Sequence, residues 1–382
     1  MSTSEIEIAE TEGEKEEIYH LRYQLYIEEM SGGSRHPEAD VATRELRDES
    51  DENAIQFYGR QGGRLMICAR TNIRGVHPLE CEEQLEMRNF GAAFPNRVSL
   101  SSRLALHPKL QGSFMLKRLV CRMYQFSCEH EIRFDFIDCH PRLLPMYSRL
   151  GYRLYKSGFR HPKYTYVIPM VLVLDDLEHL EQVRSPFASI ARHFPHSTKC
   201  RELLLSKYPA AEDTLLSLDL SAKAFWELLR SRLLEKGGTA ERPGFFPGLF
   251  MGMSAEDINL LATLGHIVRV QPPDSIASIG ESGREVFVII DGSFQVLAST
   301  GPEMHDKTII KMLGPGDVFG EMAFLTEGIR CASVAAAEES TVLVLNAKAL
   351  DRLSTVSPKV AVQFFRNLAR ILAIRLRDSL KF

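Results

Sequence analysis

Apolar and polar residues alternate from Glu5 to Ala9 as in a short strand, and from Lys15 to Met30 the positions Ile18, Leu21, Leu25 and Ile27 fall near helical spacing. A strand feeding an amphipathic helix is expected. The chain turns polar from Ser31 to Asn53, with Gly32-Gly33 and the charged run Arg47 to Glu52, which predicts irregular structure or short helices. Two strand-like runs, Ala54 to Tyr58 and Arg64 to Thr71, are parted by Gly59-Arg60-Gln61-Gly62-Gly63, whose glycines suit a tight hairpin. Further strands are expected over Arg97 to Leu106, Arg133 to Cys139 and Tyr164 to Leu174, with helices over Ser113 to His130 and Leu143 to Leu150. The sum is a mixed sheet flanked by helices.

From Leu177 to Gly244 the leucines regroup at helical spacing around Trp226, and the pattern breaks at Gly237-Gly238 and Pro243-Gly244. Beyond the break, apolar runs alternate with turns at Gly280, Asp291-Gly292, Gly301-Pro302, Gly314-Pro315-Gly316 and Gly328, the punctuation of a small β-barrel or jelly roll. A last helix is expected from Ser357 to Leu380. The pattern implies an α+β multidomain chain: a mixed α/β domain over 1–180, a helical linker over 181–244 and a β jelly roll with flanking helices over 245–382.

Composition narrows the function classes. A chain of 382 residues exceeds what one core usually serves, and 45% hydrophobic with 25% charged residues is ordinary for a folded soluble protein. The formal charge of -4, with Lys and Arg scattered, lacks the footprint of a nucleic-acid binder. Seven cysteines, odd in number and without a CxxC pair, predict neither a disulfide framework nor a zinc site, so no metal is expected. The N-terminus is rich in Glu, opposite to a signal peptide, and no apolar run approaches the ~18 residues needed to span a bilayer. A cytoplasmic protein without a membrane span is expected.

The richest chemistry lies in Phe319-Gly320-Glu321-Met322-Ala323-Phe324-Leu325, followed by Arg330-Cys331-Ala332-Ser333. Gly320 permits close backbone approach, amides opening a short helix over Met322 to Phe324 can point at an anion, Glu321 can accept from a hydroxyl, and Arg330 can neutralise a phosphate. Gly320-Glu321 and Arg330, at this spacing, resemble the phosphate cassette of the cyclic-nucleotide-binding family. Phe250 to Leu264 is similar to that family's leading helix, and Glu285 to Val296 to its Tyr/Phe-x-Ile-x-x-Gly-x-x-x-Val strand. The resemblance implies a site of Phe319, Gly320, Glu321, Met322, Ala323, Arg330, Cys331 and Ala332, with Glu321 on the ribose and Arg330 on the phosphate. Members preferring cyclic GMP often carry Thr after the cassette Arg. Cys331, a weak donor, points to cyclic AMP. Glu321 and Arg330 are each expected to need a ligand to answer a buried charge. The terminal helix, with Phe364, Phe365, Leu368, Ile371 and Leu372, is either core or a lid over the base.

In transcription factors of that family a helix-turn-helix follows the long helix, whereas this sequence stops at Phe382, so the output is expected in the first 180 residues. Those residues resemble the GNAT acyltransferase superfamily, in the branch of N-acyl amino acid and acyl-homoserine-lactone synthases. Leu21 to Glu29 is similar to that branch's first-helix signature, Asp48 and Asp51 follow at its spacing, Arg70 closes a strand, and Ser102-Arg103-Leu104 matches its Ser-Arg-Phe/Leu strand. His107 to Leu119 occupies the place of the superfamily's cofactor loop. There Gln111, Gly112 and Ser113 would hold an acyl carrier, but Phe114 and Leu116 stand where small residues belong. Pro145 to Tyr152 resembles the Tyr-x-x-x-Gly-Phe/Tyr segment whose Tyr, here Tyr147, protonates the leaving thiolate. Leu100 replaces a Glu usual among lactone synthases, against that product.

Acyl transfer to an amine needs a neutral amine, an oxyanion donor and a thioester held in line. Asp48, Asp51 and Glu29 are the available carboxylates, and Arg22, Arg70 and Arg103 either form ordinary ion pairs or hold a phosphorylated carrier arm or a carboxylated acceptor. An exposed acidic loop is the plainer reading of Asp48 and Asp51, and a core Tyr beside Gly151 that of Tyr147. Cys139-His140 as a nucleophile pair is disfavoured because the two follow a strand and face opposite sides. The expected function is a cyclic AMP-regulated transferase using acyl-CoA or an acyl carrier protein thioester. A non-catalytic cyclic AMP sensor and a regulated protein lysine acetyltransferase are the alternatives. The partners are cyclic AMP, the thioester, an acyl carrier protein as a candidate and a second copy of the chain as another.

Overall fold

The first helix begins where its sequence caps it. Thr11 Oγ1 accepts from the Glu14 amide and Glu14 accepts from the Thr11 amide, so α1 (Glu12–Arg22) opens on a capping box after strand β1 (Ile6–Ile8). The helix continues as a wider π-helical stretch, Tyr23–Met30. The computed structural model describes residues 6–30, 38–110, 114–163, 166–211, 248–281, 283–299, 307–326 and 329–380. Trp226 and the helical segment expected around it lie outside these residues.

By its internal packing the chain forms two units, Met1–Cys139 with Pro145–Lys156 and Pro169–Glu212, and His140–Leu144 with Ser157–Ile168 and Asp213–Phe382. The polar segment after α1 carries β2 (Ala39–Asp40), β3 (Glu45–Leu46) and a 3-10 turn, Glu49–Asp51. β4 (Ile55–Gln61) and β5 (Arg64–Ile73) pair through a turn of two residues, Gly62 and Gly63, with φ of +60° and +80°. The expected five-residue turn is thus shorter, and Gly59 lies inside the strand. A Cβ there would stand 2.7 Å from Ile6 Cδ1, so Gly59 serves close packing rather than turning.

The remaining elements of this region are β6 (Val98–Leu106), α2 (Phe114–Glu129), β7 (Phe134–Cys139), α3 (Leu144–Leu150), β8 (Arg153–Leu154), β9 (Phe159–Arg160), β10 (Tyr166–Val173), α4 (Leu177–Gln182), α5 (Ala188–Ala191) and α6 (Lys199–Lys207). The sheet runs β1-β4-β5-β6-β7-β10-β8, with β9 on β10. β8 and β9, two residues each, are too short for a periodic pattern to reveal. Alternation puts Phe57, Ile67 and Ala69 against Met115, Leu119, Met123 and Phe126 of α2, while Tyr58 and Cys68 meet Ile18 and Leu21 of α1 on the other face.

Two features of β6 position the site. It pairs in parallel with β7 only at Val98↔Phe134, Ser99↔Asp135 and Leu100↔Phe136, although both strands run further. On its other edge the register with β5 shifts between Cys68 and Arg70, and Arg103 takes a φ of +55°. A bulge of this kind re-aims side chains.

The second unit contains α7 (Ala255–Leu264), β11 (His266–Val270), β12 (Ser275–Ala277), β13 (Glu285–Asp291), β14 (Phe294–Ser299), β15 (Lys307–Leu313), β16 (Val318–Phe319), α8 (Glu321–Thr326), β17 (Ser333–Ala336), β18 (Ser340–Asn346), α9 (Ala347–Val356) and α10 (Pro358–Ser379). Two antiparallel sheets, β11-β18-β13-β16 and β12-β17-β14-β15, form the sandwich. Val286, Val288 and Ile290 pack with Leu343 and Leu345 against Phe250, Leu353, Phe364 and Leu368 of the surrounding helical segments. Phe364 and Leu368 are therefore core. Phe365 is partly exposed. The chain is an α+β multidomain protein, and among the described residues no helix is long and apolar enough to cross a membrane.

Candidate functional sites

The cassette residues converge in the second unit. Gly320 has a φ of +82°, and a Cβ there would stand 2.5 Å from Arg330 Nη1 and 2.7 Å from the Glu285 carbonyl, so only glycine leaves the arginine its place. Arg330 Nη1 donates to the Gly320 carbonyl at 2.9 Å and the Glu285 carbonyl at 3.0 Å, and Nη2 donates to Glu285 Oε2 at 2.8 Å. Its guanidinium lies 5.2 Å from the Phe287 ring centre. Burial pulls the Arg330 pKa down, against the pull of Glu285, Glu281 and Glu321. Glu321 opens α8 and accepts from Arg375 Nη1 of α10 at 2.6 Å, while Arg375 Nη2 donates to the Val318 carbonyl at 2.6 Å.

These contacts correct the expectation that Glu321 and Arg330 each need a ligand to answer their charge. Arg375 and Glu285 answer them within the chain. Of the other cassette residues, Phe319 stacks on Phe287 with centroids 4.8 Å apart and belongs to the core, so its backbone alone faces the loop chemistry. Ala323 is buried, Ala332 is half-buried, and Met322 and Cys331 are exposed. Sequence reasoning missed Glu285 and Arg375. Each left a signal, an acid opening the apolar run of β13 and a base on the core-facing stripe of α10, in line with Phe364 and Leu368.

In the first unit Arg22, Arg70 and Arg103 do converge. Arg22 Nη1 bonds Asp51 Oδ1 at 2.8 Å, Arg70 Nη1 bonds Asp48 at 2.6 Å and Asp51 at 2.9 Å, and Arg103 Nη2 bonds Asp48 and Glu38. Glu80 adds a contact to Arg70 at 3.3 Å, and Gln56 bridges Arg22 and Asp51. Asp48 and Asp51 are buried, which overturns the exposed-loop reading. Burial alone would raise both carboxyls, but Arg70 and Arg103 outweigh it at Asp48, and Arg22 and Arg70 at Asp51, so both stay below the ordinary range. The three arginines are not free cations either, because Asp48, Asp51, Glu38 and Glu80 face them. The side chain of Glu29 and all of Gln111, Gly112 and Ser113 lie outside the described residues. Phe114 is exposed at the first turn of α2.

Ser102 accepts from Arg70 Nε at 2.9 Å and also lines a cavity of about 40 Å³ between α2 and the sheet, where β6 and β7 part. Its wall includes Tyr147, whose ring meets Tyr152 edge to face at 5.4 Å. Burial lifts the Tyr147 hydroxyl well above its usual pKa, so it stays protonated. Asp135, buried in the same wall, accepts from Ser99, Ser101 and Tyr152. Its carboxyl is pushed up by burial and only partly held down by those hydroxyls. Asp135 was also missed, though it is an acid in an apolar strand. Cys139 is buried and its thiol pushed far up by burial, which leaves it unsuited to nucleophilic attack.

Comparison with known proteins falls along the same division. The family described as cyclic nucleotide-binding domain matches residues 267–355, and that described as N-acyl amino acid synthase FeeM matches residues 17–174. The chain thus carries a cyclic nucleotide-binding domain and an N-acyl amino acid synthase-like domain. It is 34% identical over 133 residues to the cyclic AMP receptor protein of Thermus thermophilus, covering 34% of this chain and 58% of that one. It is 35% identical over 94 residues to a cyclic nucleotide-gated potassium channel of Mesorhizobium japonicum, covering 25% of this chain and 24% of the channel. The chain therefore spans about a quarter to somewhat over half the length of these curated relatives. The solved structure of FeeM, an N-acyl amino acid synthase from uncultured soil microbes, aligns at 16% identity over 49% of this chain and 97% of that one, with a TM-score of 0.39.

Proposed function

We propose that the protein moves an acyl group from a thioester to an amine under the control of cyclic AMP, with transfer in 1–180, a linker over 181–244 and nucleotide binding in 245–382. The observation that carries the transfer reading is the junction at Ser102, where a charged cluster meets an apolar-walled cavity beside a protonated Tyr147. The amine nitrogen attacks the thioester carbonyl carbon, the C–S bond breaks, the leaving thiolate takes the Tyr147 proton, the amine releases its own to water, and Tyr147 regains a proton from water. Asp48 and Asp51, held down by arginines, are too weak as bases to take the amine proton and act by positioning. With four carboxylates facing three guanidiniums, the cluster attracts a positively charged amine rather than a phosphorylated carrier arm, and the ammonium gives up one proton to water before it attacks.

For the nucleotide, the Gly320 backbone, the opening of α8 and Arg330 supply the phosphate contacts, and Glu321 the ribose contact. The absence of a Cβ at Gly320 leaves Arg330 the place from which it would meet the phosphate. Cyclic AMP is favoured by Cys331, a weak donor where guanine needs a strong one, and agrees with the name of the Thermus relative. The exposed Phe114, where a carrier-binding loop favours a small residue, supports a second reading in which the first unit binds a thioester without turning it over.

Calorimetry with cyclic AMP and cyclic GMP, followed by thioester turnover with an amine acceptor in the presence and absence of each, tests the proposal. Binding of cyclic AMP and a turnover that changes with it are expected. Failure to bind either nucleotide sinks the control reading, and thioester consumption in neither state leaves the binding-only reading.

A further inference from the structure

We propose that Asp135 is a specificity-determining residue for the acyl chain, and that the cavity beneath α2 takes a chain carrying a hydroxyl group. The inference rests on the acyl-transfer reading above and deepens it. The cavity is walled by Val120 and Met123 of α2, Leu172 of β10 and Phe187, all of which favour a hydrocarbon. One stretch of its wall is different. Asp135 of β7 is buried there, and no cation faces it among its hydrogen-bond partners: its donors are the hydroxyls of Ser99 and Ser101 on Oδ1, the latter at 3.0 Å, and of Tyr152 on Oδ2.

A carboxylate offers about four acceptor positions. Three are taken, two on Oδ1 and one on Oδ2, so Oδ2 keeps room for one further donor. With Asp135 ionised, a hydroxyl on the chain supplies that hydrogen and a keto oxygen does not. The position of the group also follows from the register. Asp135 lies opposite Ser99, one pairing before β6 and β7 part after Leu100↔Phe136, on the closed side of the opening, while Ser102 connects the cavity to the charged cluster. The thioester therefore enters from the Ser102 side and the chain reaches Asp135 ahead of it. A cavity of about 40 Å³ is roomier than the ~10–15 Å³ that one ordered water needs, so it admits a segment of chain together with its hydroxyl. A plain chain would bury Asp135 against methylene groups without the fourth hydrogen bond, whereas the hydroxylated chain supplies it.

The test uses the full-length protein with cyclic AMP present. Turnover is measured with octanoyl-coenzyme A and with its counterparts hydroxylated at successive carbons, and calorimetry measures binding of octanoate and the matching hydroxy acids. One hydroxylated isomer is expected to exceed the plain chain about tenfold in kcat/KM and in affinity. Asp135→Leu is expected to abolish that ratio. Asp135→Asn, which preserves shape and keeps the test open if the leucine variant does not fold, should lower it several-fold. Equal turnover of plain and hydroxylated chains overturns the role of Asp135 while leaving acyl transfer standing. If no thioester is consumed, binding decides: a selective, Asp135-dependent hydroxy acid upholds the pocket, and unselective or absent binding overturns it.

Discussion

If a ribose hydroxyl must displace Arg375 from Glu321, the competition is measurable. Arg375 reaches Glu321 at 2.6 Å with side chains 26% and 5% exposed, and its second nitrogen is committed to the Val318 carbonyl. A fully exposed ion pair contributes ~0–1 kcal/mol. A hydrogen bond between charged groups shielded from water contributes ~1.5–3 kcal/mol. With one partner buried and one partly wet, the pair is worth about 1 kcal/mol, a factor of about five in an equilibrium constant. If that contact must loosen when the ribose arrives, its free energy is subtracted from nucleotide affinity.

Arg375→Ala should then tighten cyclic AMP binding about fivefold in a calorimetric titration. Glu321→Ala should lose most binding, and adding Arg375→Ala to it should restore nothing, because the two substitutions act on one contact. The same Arg375→Ala protein should melt slightly earlier, since a partly buried pair is gone. Unchanged or weaker binding in Arg375→Ala would refute the competition and make Arg375 a direct ligand contact instead.

Three further outcomes follow from local geometry. Gly320→Ala should abolish cyclic AMP binding, because the new Cβ would stand 2.5 Å from Arg330 Nη1 and displace it; retained binding in calorimetry would show that Arg330 is dispensable. Cys331→Thr should move relative affinity towards cyclic GMP by about fivefold, the contribution of one added hydrogen bond, read from paired titrations with both nucleotides. His179 is buried, shares a hydrogen bond with the Gly151 carbonyl through Nε2, and has no hydrogen-bond partner at Nδ1. Burial first, then Arg153, lowers its pKa to about 4. The unfolded chain therefore binds a proton that the folded one refuses. Stability is fully present above about pH 6.5 and is lost as pH falls towards 4, by an amount on the order of 3 kcal/mol. Thermal melts from pH 7.5 to 4.5 should slope accordingly, and His179→Gln should flatten that component.

Local pattern carried much of the fold because β4, β5, β6, β7, α2 and α10 each repeat long enough for their period to show. β8 and β9, at two residues each, have no period to read. Gly59 was misplaced because glycine marks both turns and close contacts, and only the neighbouring Ile6 distinguishes them. The cassette was legible for a related reason: Gly320, Glu321 and Arg330 lie close together in the sequence, so the motif is spelled locally. Their partners within the chain are not. Glu285 and Arg375 come from a strand and a helix on either side of the cassette in sequence, and nothing local ties them to it.

The distant members nonetheless share one mark. Glu285 opens a strand that runs through Val, Phe and Ile to Asp291, Arg375 falls on the buried stripe of α10, Arg70 sits inside the apolar β5, and Asp135 interrupts the Phe and Ile of β7. Each is a charge placed where the period demands hydrocarbon, and each is bonded to a polar side chain in the structure. Burying such a group without a partner costs several kcal/mol, on the order of 2–7 for a neutral polar group and more for a charge. A charge that breaks an apolar period therefore announces a partner elsewhere in the chain, and the partners here form the two candidate sites. Read this way, Asp135 stands apart from the other three. Its partners are hydroxyls rather than an opposite charge, so its role does not end with the ion pair that closes the account for Glu285, Arg375 and Arg70.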